Sequence, residues 1–167
     1  TLTYLKGTDA LTVLPHGVVF AFRKERAITA LPVEIPHPER ALGLITSTYI
    51  KDPSDPAWAD DAGMKDYFAF MAKYYGDGNP KEFLNAYGYT VTSVLRKLLE
   101  QCNGNFARAS IMAQANNLKN LEVPTLLPGV RVNTSPTNHH PLRQMQLQRW
   151  DGKKWARFGP IFSGSNV

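Results

Sequence analysis

The sequence predicts an α/β fold, and three observations carry that prediction. A β-branched run, Leu44 to Ile50, reads as a strand. Apolar residues at three- and four-residue spacings from Met64 to Leu118 read as amphipathic helices. Two alternating segments around Asp151-Gly152 read as a closing β-hairpin. The 167 residues suit one domain or most of one, and 43% hydrophobic with 20% charged residues is an ordinary globular balance.

Each element has its own signal. Leu11 to Leu14 and Val18 to Phe22 are short apolar runs split by Pro15-His16-Gly17, which suits a hairpin. Arg23-Lys24-Glu25-Arg26 follows as a charged cluster. Pro32, Pro36 and Pro38 then forbid a helix, so an extended linker is expected. Residues 1–43 form an atypical segment; 44–164 hold the main domain, and 165–167 a tail. After the strand, Lys51 to Pro56 is a loop broken by prolines. Trp58 to Tyr75 is a helix with Met64, Tyr67, Phe68, Met71 and Tyr75 on its apolar face. A longer helix starts near Pro80, a residue suited to a first turn, and runs to Cys102. Phe83, Leu84, Tyr87, Val91, Val94, Leu95, Leu98 and Leu99 give it a continuous apolar face. Asn103-Gly104 stops it. Asn105 caps a third helix whose stripe is Phe106, Ile111, Met112, Ala115 and Leu118. Val123 to Pro128 is a loop, and Val130 to Asn133 a short strand. The hairpin joins Met145–Trp150 to Trp155–Phe158, with an apolar face on its first strand.

Composition and motifs exclude several functions. No run of 18 apolar residues predicts a membrane-spanning helix. The first residues lack the pattern of a signal peptide. Lone Cys102 rules out an internal disulfide and reads as a helix residue. Net charge is +5 and the pI 9.4. Most of that excess lies after Leu121, where basic residues alternate with apolar ones, as on a solvated strand face; no nucleic-acid partner is expected. No nucleophile elbow, phosphate loop or zinc-protease pair is present, so the chain is not expected to be an enzyme. Adjacent His139 and His140 read as a loop pair rather than metal ligands. Asp52, Asp55, Asp60 and Asp61 lack calcium-loop spacing, and Asp60 and Asp61 suit a helix N-terminus. No cofactor or metal is expected.

The tyrosines are more informative. Tyr49 stands at a strand end, and Tyr87 and Tyr89 near the start of the long helix. Strand ends and helix N-termini are where open α/β folds hold ligands. A phenol offers an apolar face and one polar tip, suited to closing over a small carboxylate. Tyr49, Asn85, Tyr87 and Tyr89 are therefore the candidate ligand residues, although Tyr87 also occupies a position that suits a core side chain.

Four separated blocks carry a resemblance. They are Gly43-Leu44 with ITSTYIKDPSDPAW (45–58), MKDYFAFMAKYY (64–75), NAYGYTV (85–91), and LEVPTLLPGVRVNTSPTNHHPLRQMQLQRWDGKKWARFG (121–159). In this order they resemble the C-terminal part of ABC-transporter substrate-binding proteins of the Leu/Ile/Val-binding-protein-like group. These have the type I periplasmic-binding-protein fold. The resemblance spans about three quarters of the chain. It implies two Rossmann-like α/β lobes joined by a hinge of three crossovers. It implies an amino acid, or a branched or aromatic carboxylate, as ligand, an ABC permease as partner, and a periplasmic location. Residues 1–43 do not resemble the family, and the switch near Gly43 is abrupt, as in a truncated or rearranged gene. A truncated C-terminal portion is expected to leave helix faces bare and to bind ligand weakly. The competing expectation is a structural or interaction fragment that associates through those faces and has no ligand.

Overall fold

The computed structural model describes residues 42–164, and before them the backbone of three short strands. Those strands are β1 (Thr12–Val13), β2 (Val19–Arg23) and β3 (Arg26–Ile28). β1 and β2 pair antiparallel with Thr12 opposite Phe20, so the expected first hairpin forms. β3 pairs with β2 and begins within the charged cluster. The proline-rich segment and the tail lie outside the described residues.

The chain divides into two compact units, residues 1–48 with 146–160 and residues 49–145 with 161–167. It passes between them three times, at Thr48–Tyr49, Met145–Gln146 and Pro160–Ile161.

In the first unit, β4 (Ile45–Thr48) pairs antiparallel with β5 (Gln144–Trp150), and β6 (Trp155–Ser163) lies on the far side of β5. Ile45 faces Arg149 and Thr48 faces Gln146. The Asp151 carboxylate accepts the N–H groups of Lys153 and Lys154 at 2.8 and 2.9 Å, and Gly152 takes φ +99°, so this turn suits Asp-Gly. Trp150 meets Trp155 edge to face at 5.5 Å. One expectation fails here. The covered face of β4 and β5 carries Thr46, Thr48 and Gln148, while the apolar Leu147 is only half-buried. Gly159 bends β6 at φ +68°, just before the chain leaves the unit.

The second unit holds the helices. Asp55 accepts from the Ala57 N–H and opens a short 3-10 turn, Pro56–Trp58. Helix α1 (Ala62–Tyr74) starts later than its periodicity suggested, because Asp61 caps it through the Met64 N–H at 3.0 Å. Met64, Tyr67 and Met71 are buried as expected, and with Ala86 they form a small core. Tyr75 instead lies beyond the helix and is exposed.

Helix α2 (Phe83–Gln101) runs about 28 Å at 1.5 Å per residue. Its buried residues are Ala86, Thr90 and Leu98, with Val94 packed on the larger core. Leu84, Tyr87, Val91 and Leu95 are exposed. The continuous apolar face thus divides into a packed side and a bare side. The third helix, α3 (Arg108–Ala115), buries none of its residues, and Phe106 and Met112 are exposed. Asn105 accepts the Ala107 N–H and stands two residues before Ala107, the N-cap of α3.

The larger core comes from the segment read as a loop, the short strand expected after it, and Leu118 from the expected stripe of the third helix. Leu118, Val123, Leu126, Leu127, Val130 and Val132 form it. Buried irregular backbone needs partners for its polar groups, and it has them. Leu121 and Val132 exchange two hydrogen bonds at 3.0 Å, Lys51 N–H reaches Thr125 C=O, and Leu127 N–H reaches Tyr49 C=O. The expected strand at Val130–Asn133 is reduced to that single bridge. Among the described residues, no helix is long and apolar enough to cross a membrane.

Candidate functional site

Of the four candidate residues, Tyr49 and Tyr87 lie within electrostatic reach of each other. Tyr49 follows β4 directly. Its C=O accepts the Leu127 N–H at 2.9 Å, and its half-buried side chain packs against the larger core. Tyr87 stands in the second turn of α2, on its bare side, 43% exposed. Burial, and then electrostatic repulsion between the two phenolate forms, hold the Tyr49 phenol above its ordinary ionisation range. Tyr49 is therefore a neutral phenol near pH 7, able to donate or accept one hydrogen bond.

Tyr89 goes elsewhere. Two helix positions separate it from Tyr87, which turns it by about 200°. It packs against Tyr67 at 5.3 Å and Phe70 at 5.1 Å between ring centres. Burial, then Asp66, raise its phenol. Asn85 spends its amide on the Asn79 C=O at 2.9 Å, tying down the turn before α2. Tyr49 thus packs on the larger core and Tyr87 stands exposed on α2, whereas Tyr89 supports the small core and Asn85 the turn.

A polar cluster supports the Tyr49 end and was not singled out by sequence. Lys51, 5% exposed, pairs with Asp61 at 2.8 Å, donates to the Pro124 C=O and lies over the Trp58 ring at 5.3 Å. Burial opposes the Asp61 charge, but the Lys51 ammonium and the Met64 and Gly63 N–H groups outweigh it and hold the carboxyl below its ordinary range. The cluster joins the segment after β4 to α1 and to the core loop. A lysine in an Asp/Pro-rich loop reads as solvated, so only the fold reveals that it is covered.

His139 and His140 are exposed in a loop, and Cys102 is buried at the end of α2. Among the described residues no three His, Cys, Asp or Glu groups converge as metal ligands. The chemistry on offer is hydrogen bonding and apolar contact from phenols on a fixed framework, which suits binding.

A comparison with known families decides the wider question. The family described as periplasmic binding protein matches residues 30–154. The chain belongs to the periplasmic binding protein family. The match starts ahead of Gly43 and ends within the turn of the last hairpin, so it includes β4, all three helices, the core loop and β5. Periplasmic binding proteins bind solutes and are not enzymes, and the family implies a periplasmic location. No curated protein and no solved structure matches the chain.

Proposed function

We propose that this periplasmic binding protein takes a small carboxylate solute, an amino acid or a branched or aromatic acid, for delivery to an ABC permease. The observation that supports the ligand site is that Tyr49, half-buried on the core, and Tyr87, exposed on α2, lie within electrostatic reach of each other. One phenol is anchored on the core and the other stands free at the surface. Together they offer two apolar ring faces and two hydroxyls to a ligand with one apolar and one polar end. The three passages of the chain between its two units support the type I fold, whose hinge has that number of crossovers. Asn85 and Tyr89 enter the proposal by fixing α2, through the Asn79 C=O and the Tyr67 and Phe70 rings.

The test is a ligand titration followed by tyrosine absorbance, with Y87A and Y49F compared to the wild type. The expected outcome is saturable binding of one acid class, weakened about tenfold by Y87A and less by Y49F, as loss of one packed ring or one hydroxyl implies. Equal affinity in all three proteins would remove the tyrosines from the site.

A second reading rests on the bare side of α2. Leu84, Tyr87, Val91 and Leu95 form an exposed apolar stripe, which supports a structural or interaction fragment that associates and has no ligand of its own. Sedimentation at rising concentration separates these readings. Self-association abolished by L95E favours association, and a monomer throughout favours solute binding.

A further inference from the structure

A second polar surface of the helical unit has no part in the tyrosine site. The chain between Leu118 and Thr134 meets the start of β5 and the end of β6 around a cavity of about 230 Å³. Asn120, Arg131, Asn133, Arg143, Gln144 and Ser163 line it. Among the described residues no carboxylate lines it, and two arginines border it.

The frame of this cavity is fixed by hydrogen bonds. The Asn120 N–H donates to Asn133 Oδ1 at 2.8 Å, and the Arg131 N–H to Gln144 Oε1 at 2.8 Å. The Gly164 N–H donates to the Arg143 C=O at 2.8 Å. Asn120 takes φ +48°, in the left-handed region, which asparagine tolerates better than most residues. The loop therefore carries a backbone cost at the cavity's edge. Such costs concentrate where geometry serves binding.

Arg131 also shows what its guanidinium accepts. Half-buried, it is ion-paired through Nη2 to Glu122, and its Nη1 donates to the Val130 C=O. A guanidinium has five donors in one plane, so donors remain for a second acceptor. The exposed Glu122 carboxylate competes for the same group from outside the lining.

We infer that this cavity binds a small oxyanion of the carboxylate or phosphate class, held by the Arg131 guanidinium and oriented by the Asn120 and Asn133 amides and the Ser163 hydroxyl. Neither Tyr49 nor Tyr87 lines it, so the inference stands or falls independently of the solute site.

The experiment is calorimetric titration of the full 167-residue chain with inorganic phosphate and, separately, with acetate, at constant pH and ionic strength. The expected result is saturable one-to-one binding of at least one anion. Phosphate alone identifies a tetrahedral ligand, and acetate alone a planar one. R131Q is expected to weaken binding about tenfold, the loss of a charge-assisted hydrogen bond. E122Q is expected to tighten it about threefold by freeing the guanidinium, since a partly exposed ion pair is worth about half of a tenfold factor in free energy. K97Q, the same charge change on the exposed side of α2, should leave the affinity unchanged. Absence of saturation with both anions overturns the inference, as does equal weakening by K97Q and R131Q. Should R131Q fail to fold, E122Q decides, because its side chain is exposed and its failure to tighten binding also overturns the proposal.

Discussion

A methyl group on Gly63 would meet Pro124 Cβ and O at 2.5 Å and its carbonyl carbon at 2.8 Å. Alanine favours a helix over glycine by about 1 kcal/mol, but the obstacle here includes backbone that cannot rotate away. G63A should therefore lower stability by about 1–3 kcal/mol in urea unfolding. A neutral or stabilising result would mean the α1–loop contact relaxes freely. Asp61 makes a second residue-scale case. Its depressed ionisation contributes stability above about pH 4, the unfolded-state value, and that stability is lost as pH falls through the lower folded value. D61N keeps a capping side chain but removes the charge. It should be about 1–3 kcal/mol less stable than the wild type at pH 6, with the gap closing in acid. Tyr67 acts at the other end of the scale. Burial, then Glu82, push its phenol up to about 12, and its hydroxyl donates to the Pro80 C=O at 2.8 Å. The stability this gives is present below pH 10 and is lost as pH rises toward about 12. Y67F should cost about 0.5–1.5 kcal/mol at neutral pH and flatten part of the alkaline fall, as denaturant melts from pH 8 to 12 would measure.

Periodicity made the elements legible in unequal measure. Met64, Tyr67 and Met71 recur at helical spacing and are the buried face of α1. The closing hairpin and its Asp151-Gly152 turn were equally readable, because turn chemistry is local. α2 misled, since its apolar residues cover too wide an arc to meet one core. Spacing cannot say that Leu98 is buried while Leu95, three positions earlier, is exposed. A direct check follows from that contrast. L98A should cost about 2–5 kcal/mol, whereas V91Q and L95Q should stay within about 0.5 kcal/mol in the monomer. Similar losses at all three positions would show the stripe to be packed. The core loop was the largest omission. Prolines and a lack of period mark Val123 to Pro128 as a loop, yet its hydrogen bonds to Tyr49 and Lys51 let it and its flanks bury six apolar side chains. Those bonds join residues more than seventy positions apart, which no local window contains.

At the scale of the molecule, the family was legible because four blocks occur in order, and the family match extends from residue 30 to 154. The proposed site was legible only in part. Tyr49 was proposed from its place at a strand end and Tyr87 from its place near a helix start. The turning away of Tyr89 depends on how α2 packs on the small core. The buried Lys51–Asp61 pair and the arginine-lined cavity depend on the same tertiary placement, so neither had a sequence signature. The central claim is that this chain is a solute-binding protein for small carboxylates. Its most direct test is a thermal melt of the wild-type chain with and without branched-chain amino acids, other amino acids and aromatic acids. The account predicts one cooperative transition that a single acid class moves upward with concentration, as binding to the folded state alone requires. A transition unmoved by every acid would contradict it.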